Sequence, residues 1–179
     1  MLRVQDEAFS AAFQSGYDRT TVEGIAAAAD VSPSTVYRAF GTKEGIFIWD
    51  ELELPTMELL EAELARHAPV AAAIAVVEAM GNLEFHVSDA EMRARLSLVF
   101  MEPGLRSSLA NEFRRFESRL AEMFAAGGEI DAVEARIIAA ATVAAVLAAV
   151  EAWGSAEPPV SFASAATVAA ASLRNVLNG

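Results

Sequence analysis

The chain of 179 residues has no cysteine, only two histidines, and about half as many basic as acidic side chains, 13 against 25. Without cysteine there is no disulfide and no thiolate metal site. His67 and His86 fall on separate predicted helices and show neither H-x-x-x-H nor H-E-x-x-H spacing, so no metal is expected. A glycine-rich phosphate loop, a nucleophile elbow and a paired-carboxylate motif are also lacking. No cofactor and no catalytic constellation is therefore expected, and the chain reads as a non-enzyme. No stretch shows the alternating pattern of a strand, and there is no repeat or low-complexity linker. The longest apolar run, residues 137–150, is Ala-rich, interrupted by Thr142 and short of the roughly 18 residues a membrane span requires. No membrane partner is expected. Met1-Leu2-Arg3 leads straight into a mixed helical pattern rather than a secretory leader, which makes a cytoplasmic location the default.

What is present is apolar periodicity of 3.6 residues throughout, with 54% apolar residues. The pattern predicts an all-α fold of about nine helices: a three-helix N-terminal domain over 1–47 and a larger helical bundle over 48–179. The first helix reads as Leu2 to Ser15, with Val4, Ala8, Phe9, Ala12 and Phe13 inward.

The chemistry concentrates in residues 20–47. Thr20 followed by Glu23 reads as a capping box, and Val22, Ile25, Ala26 and Ala29 give the helix behind it one apolar face. Asp30 breaks that helix, since Asp tolerates a left-handed turn conformation. Ser32 is an N-cap with Pro33 at the first helical position. Val36 and Phe40 point inward, which leaves Ser34, Thr35, Tyr37 and Arg38 on the outer face. Gly41 ends the helix and Lys43 opens the next. Two short helices joined by such a turn make either a plain helical hairpin or a helix-turn-helix, in which the second helix enters the DNA major groove. Hydroxyls, a phenol and a guanidinium suit base edges and phosphates.

Residues 16–47 resemble the N-terminal domain of the tetracycline-repressor (TetR) family. The matching positions are Gly16-Tyr17, Thr20-Thr21-Val22, Ile25-Ala26, Ala29, Val31-Ser32, Tyr37-Arg38, Phe40 and Lys43-Glu44. The resemblance implies that Ser34, Thr35 and Arg38 face bases and that Thr21, Tyr37 and Lys43 touch phosphates. It implies a homodimer on a palindromic double-stranded operator. There are two departures. Asp30 stands where the family has Gly, at up to about 1 kcal/mol in the turn. Ala12 stands near where the first helix carries Phe, leaving Phe9 or Phe13 to fill the space. The chain also begins close to its first helix, so a basic arm ahead of it is either outside this sequence or absent.

The charge balance opposes this reading. Residues 1–50 hold four basic side chains, Arg3, Arg19, Arg38 and Lys43, against seven acidic ones, and the whole chain carries -12. A basic face is the usual footprint of a DNA binder. Local contacts from Arg38, Lys43 and helix N-termini can still meet phosphates while acidic groups lie elsewhere. Weak non-specific binding and a salt-sensitive association rate are expected.

In the remainder, a helix is expected from Lys43 to about Arg66, with Pro55 either kinking it or marking a boundary. Further helices are expected from Pro69 to about His86 and from Ser88 (capping with Glu91) to about Met101; Pro103-Gly104 reads as a break, after which Leu105, Leu109, Phe113, Phe116, Leu120, Met123 and Phe124 form a helical stripe ended by Gly127-Gly128; two more helices are expected from Asp131 to Trp153 and from about Ser161 to Leu177, with a loop at 154–159. The last two helices carry small residues, among them Ala141, Ala145 and Ala148, then Ala166, Ala169 and Leu173. An apolar surface larger than one bundle hides points to a second copy of the chain. Phe85, Met92, Phe100, Phe113, Phe116 and Trp153 are either core or the lining of a ligand cavity. Residues 49–52, 93–96 and 103–106 further resemble a TetR subgroup with an acyl-CoA-like ligand-binding domain. This implies a small, largely apolar ligand, with Arg93, Arg95 or Arg106 as headgroup partners. The expected function is a ligand-responsive transcriptional regulator, most simply a repressor. The alternative is a dimeric small-molecule-binding protein with weak or lost DNA binding.

Overall fold

The computed structural model describes residues 1–49, 51, 53–157 and 159–178. Among these the chain is all α, with ten helices and no strand. They are α1 (Leu2–Ser15), α2 (Val22–Ala28), α3 (Pro33–Phe40), α4 (Lys43–Ile48), α5 (Glu53–Leu64), α6 (Pro69–Met80), α7 (Asp89–Met101), α8 (Pro103–Ala126), α9 (Ala132–Ser155) and α10 (Phe162–Asn178). A 3-10 turn, Tyr17–Arg19, joins α1 to α2.

The residues gather into two compact units. The first takes Met1–Glu51 with Ala94–Asn111, and the second takes Leu52–Arg93 with Glu112–Gly179. The core of the first unit is built by Val4, Ala8, Phe9 and Ala12 of α1 against Val22, Ile25 and Ala26 of α2, Val36 of α3, and Ile46 and Phe47 of α4. Val99 and Leu105 complete it, so the ends of α7 and α8 nearest residue 102 belong here. Of the two candidates near Ala12, Phe9 is buried, its ring edge-on to Phe47 at 5.0 Å, whereas Phe13 stays exposed.

Among the described residues Gln5, Thr20 and Arg95 are the buried polar side chains of this unit, and two of them tie distant segments together. Gln5 donates from Nε2 to the carbonyls of Ile46 and Trp49 at 3.1 and 2.7 Å, satisfying groups that the end of α4 leaves open. Arg95, 3% exposed, donates to Asp6 at 2.7 Å and lies over the Phe9 ring.

The second unit packs α10 on α9 and α6, with α5 also on α6. Leu60, Val76, Leu120, Phe124, Ile138 and Val143 form one core, and Ile74, Val77, Ala149, Ala169, Ala170 and Leu173 another. The expected stripe along α8 is thus divided: Leu105 and Leu109 serve the first unit, Phe113 to Phe124 the second.

Several expectations are corrected. The single helix from Lys43 to Arg66 is two, because α4 ends at Ile48 with Trp49 in extended backbone. Pro55 lies in the first turn of α5, where a missing N–H has no intrahelical partner to lose. The boundary reading holds, not the kink. The helix expected to reach His86 stops at Met80, where Gly81 and Asn82 are poor helix formers. Gly81 also lies so close to α10 that a Cβ there would meet the Cα of Ala163 at 2.9 Å. The helix expected from Thr20 starts one residue later, as described below. Asp50, Leu52 and Pro158, parts of the second resemblance and of the expected loop, lie outside the described residues. Finally, α9 is long and apolar enough to cross a membrane by length and composition, with mean hydropathy 2.0, although its uninterrupted apolar run is short. A helix at the core of a helical bundle has the same length and composition, and α9 packs on α6 and α10.

Replacing Arg95 by Met keeps much of the stem volume but removes the buried guanidinium. Because the Asp6 carboxylate left behind is part exposed, Arg95→Met is expected to lower the unfolding free energy by only about 1–2 kcal/mol, the worth of a hydrogen bond to a charged group, read from the midpoint of urea unfolding. Arg174, 3.6 Å from Glu78 with both side chains exposed, provides the control. Arg174→Met is expected to change stability by less than about 0.5 kcal/mol.

Candidate nucleic-acid interface

The surface built by α2, its turn and α3 starts from the cap of α2. Thr20 is buried and its hydroxyl donates back to the Gly16 carbonyl at 3.0 Å. Thr21, extended and exposed, therefore takes the cap, its Oγ1 accepting from the Gly24 amide at 3.1 Å. This replaces the expected Thr20–Glu23 box. As acceptor in that bond, the Thr21 hydroxyl keeps its hydrogen for an oxygen outside the chain.

The turn closes at Asp30, which takes φ 58 and is the one non-glycine residue with positive φ among those described. This is the left-handed conformation that glycine adopts without cost and that Asp tolerates. Val31 follows, half-buried on the core.

α3 is then fixed at both ends. Ser32 Oγ accepts from the Thr35 amide at 3.1 Å and shares hydrogens with the hydroxyls of Ser34 and Thr35, both at 2.8 Å. At the other end Gly41 takes φ 75 and its amide donates to the Tyr37 carbonyl at 2.8 Å. The start of α4 comes so near that a Cβ on Gly45 would lie 2.1 Å from the Phe40 carbonyl oxygen. In between, Val36 is buried at 1% exposure, while Ser34, Tyr37 and Arg38 are exposed and Thr35 is half-buried. The hydroxyls of Ser34 and Thr35 are partly engaged by the cap, whereas the Tyr37 ring and Arg38 guanidinium stand outward.

Lys43 is placed differently. Its Nζ donates to the Tyr17 carbonyl at 2.7 Å and sits 3.9 Å from the centre of the Tyr17 ring. The Tyr17 hydroxyl donates to Glu44 Oε1 at 3.0 Å, and the ring meets Phe47 edge-on at 5.2 Å. Burial above all, then the bond to Glu44, raises the Tyr17 phenol well above its ordinary value. The Glu44 carboxyl is lowered chiefly by its own backbone N–H, against its burial, with help from the Tyr17 and Thr42 hydroxyls and Lys43.

The residues expected around a ligand are not one group. Phe85 stacks on Trp153 at 5.6 Å with the rings nearly parallel, and Phe162 closes the trio at 5.2 Å from Trp153. The Trp153 indole N–H is buried with no hydrogen-bond partner among the described residues. Phe113 and Phe116 line the core around Leu60, Leu120 and Phe124. Met92 is half-buried in the second unit, and Phe100 belongs to the first. Of the expected headgroup partners, Arg93 donates to the carbonyls of Trp153 and Ala156 at 2.5 and 2.8 Å, closing the end of α9. Arg95 is buried against Asp6, and Arg106 is exposed.

Among the small residues of α9 and α10, Ala166, Ala169 and Leu173 are buried within their own chain, Ala141 and Ala145 are half-buried, and Ala148 is exposed. The outward apolar side chains are Val133 and Ile137 of α9 and Val168 and Val176 of α10.

Residues 6–48 match the family model for bacterial regulatory proteins of the tetR family, and residues 67–178 match the MftR C-terminal domain, which covers more than half of the chain. The chain belongs to the TetR family. It is 32% identical over 133 residues to the HTH-type transcriptional regulator TcmR of Streptomyces glaucescens, a match covering 70% of this chain and 58% of that protein. It thus spans rather more than half the length of that relative. FadR of Thermus thermophilus, a TetR-family repressor solved with lauroyl-CoA, is similar with a TM-score of 0.56 at 18% identity, over 96% of this chain and 92% of FadR. A TetR-like regulator of Rhodococcus sp. RHA1 is similar with a TM-score of 0.51 at 18% identity, over 99% and 95%. At these identities the likeness is one of fold. These relatives are named as transcriptional regulators, and this TetR-family chain matches an N-terminal and a C-terminal domain of that family.

Sequence reasoning missed Gln5, Gly45 and Arg95 as parts that hold the first unit together. Gln5 and Arg95 had a signal, since each sits on the apolar face of its helix, beside Val4 and Phe9 in one case and Val99 in the other. Gly45 had none.

In a Tyr37→Phe variant the remaining tyrosine, Tyr17, is expected to ionise well above pH 10, followed by ultraviolet absorbance. Below the ordinary tyrosine value of 10.0 both folded and unfolded chains hold the phenol. Above it the unfolded chain ionises first, so folding stability falls as pH rises past that value. Tyr17→Phe is expected to remove that share of the loss.

Proposed function

We propose that the chain is a dimeric repressor that reads a palindromic operator through α3 and is released by a small, largely apolar molecule held in the second unit. The observation that carries the reading is the exposure of Tyr37 and Arg38 on a helix capped at both ends and anchored by Val36. In this reading Arg38, Ser34 and Thr35 meet base edges, and Tyr37 and Thr21 meet phosphates. Two copies, paired across the outward faces of α9 and α10, set two such helices roughly 34 Å apart for successive turns of DNA. Ala148 with Ile137 and Val168 would form that face, while Ala166, Ala169 and Leu173 support it from beneath.

The ligand reading draws on the interior around Leu60, Phe113, Phe116, Leu120 and Phe124, which suits an acyl chain, and FadR holds lauroyl-CoA. The unsatisfied Trp153 N–H would gain from a ligand carbonyl, as a buried donor without an acceptor costs about 1–3 kcal/mol. Ligand and DNA then oppose each other through conformation, with a coupling of about 1–3 kcal/mol.

A second reading, a dimeric small-molecule-binding protein without effective DNA binding, is favoured by the acidic balance of residues 1–50 and by the inward Lys43 ammonium. Selection of binding sites from a random DNA pool separates the two. An enriched palindrome supports the repressor, and none at low salt supports the second reading. On the selected site, Tyr37→Ala and Arg38→Ala are each expected to weaken binding about 10- to 100-fold by fluorescence anisotropy. Unchanged affinity in both would remove α3 from the account. Ile137→Asp combined with Val168→Asp is expected to give a folded monomer in sedimentation, and a persistent dimer would move the pairing face elsewhere.

A further inference from the structure

One corner of the second unit combines three aromatic rings with a donor that has nothing to bond. Trp153, near the end of α9, is 1% exposed. Phe85 lies almost parallel to its indole at 5.6 Å between ring centres. Phe162, at the start of α10, leans on both, 5.6 Å from Phe85 and 5.2 Å from Trp153. Among the described residues no acceptor reaches the indole Nε1 hydrogen. Nearly all buried donors in folded proteins are satisfied, so an orphan of this kind asks for a partner.

The three rings are not held alike. Trp153 and Phe162 are buried and sit on helices. Phe85 is half-buried on the segment between α6 and α7, which forms no helix. That segment leaves α6 at Gly81, pressed on Ala163 of α10, and re-enters helix at Asp89. Outside regular structure the backbone is cheaper to move, so Phe85 is the ring that leaves the indole at least cost. A flat ring system that takes its place keeps the stack. An oxygen carried on that ring system then gives the indole hydrogen an acceptor.

Charge narrows the chemistry of that oxygen. The segments that build the corner, 81–93 and 151–162, carry Glu84, Asp89, Glu91, Glu151 and Glu157 against a single arginine and no lysine. Both terminal nitrogens of that arginine, Arg93, already donate to the carbonyls of Trp153 and Ala156. A carboxylate or phosphate entering here meets a surplus of like charge. A cationic group meets an indole hydrogen that repels it. A neutral acceptor, such as a ketone oxygen, satisfies the donor without either cost.

We propose that the small molecule held by the second unit is recognised at this corner: a neutral, flat, conjugated carbonyl compound that displaces Phe85 from the indole face and accepts from Trp153 Nε1. The inference deepens the ligand reading proposed above and rests on it for the link to DNA. It sets a neutral head against the charged one of an acyl-CoA.

The test uses the full chain and three naphthalenes of like size: 2-acetonaphthone, its alkene isostere 2-isopropenylnaphthalene, and 2-naphthoate. The chain has two tryptophans, so Trp49→Phe leaves the Trp153 indole signal alone in the nuclear magnetic resonance spectrum. On adding 2-acetonaphthone that signal is expected to move downfield, as an N–H does on gaining an acceptor. The ketone is expected to bind about 3- to 10-fold more tightly than the alkene, and 2-naphthoate more weakly than both. Trp153→Phe keeps a ring and removes the donor, so it is expected to erase the advantage of the ketone while the alkene still binds. Phe85→Ala removes the ring that competes for the stack and is expected to tighten the ketone several-fold. An unmoved indole signal, equal affinity for ketone and alkene, tightest binding of 2-naphthoate, or weaker ketone binding in Phe85→Ala would each overturn the proposal. The indole signal is read with Phe85, Trp153 and Phe162 intact, so it does not depend on how the corner variants fold. Lauroyl-CoA is titrated alongside against the selected operator. If it releases the DNA while the naphthalenes leave the indole unmoved, the neutral-ligand inference fails and the release function stands. If the ketone binds at Trp153 and operator affinity is unchanged, the release function fails and the site stands.

Discussion

A helix of eight residues does not hold together alone in water, so α3 depends on what closes its two ends. Ser32 satisfies the first amides, Gly41 turns the chain away at the other end, and Val36 is the single side chain sunk into the core. The remaining surface can then stay polar and outward without the helix fraying. The approach of α4 to the Phe40 carbonyl, permitted only because residue 45 has no Cβ, locks this arrangement against the rest of the unit. Burial of Phe9, Ile25, Ile46 and Phe47 supplies the free energy, and the polar bonds of Gln5 and Arg95 choose which packing is adopted.

The second unit solves a different problem. Alanine on α6, α9 and α10 lets helices approach closely but buries little area per residue, so the larger side chains that supply area pack among the alanines or gather at the helix ends. Phe85, Trp153 and Phe162 form one such group at the end of α9, next to the carbonyls that Arg93 holds. Phe113, Phe116, Leu120 and Phe124 form another along α8. Arg93, which the resemblance implied as a headgroup partner, spends its guanidinium on the carbonyls that end α9.

Much of the fold was legible because local signals were strong. The limits of α1, the Ser32 cap with Pro33, the left-handed turn at Asp30, the Asp131 cap of α9 and the Gly127-Gly128 stop are each set within a few residues of chain. Candidate residues on α3 were legible for the same reason, since one buried Val36 among polar neighbours defines which face is outward. The errors came where distant residues decide. Thr20 has the cap chemistry but is drawn inward to Gly16, so Thr21 takes its place. The expected interface residues Ala166, Ala169 and Leu173 face their own chain, because composition does not say which side of an alanine-rich helix meets which neighbour.

By itself, then, the sequence determined the helical class, the order of helices, the turn chemistry around α3 and the family, all carried by short-range pattern and capping. Tertiary structure alone decided where Lys43, Arg93 and Arg95 direct their charge, which alanines are covered, and which aromatic rings meet. The physical reason is reach. A long flexible side chain can reach water, a carbonyl or a ring with similar ease, and only the packed positions of residues far along the chain select among them.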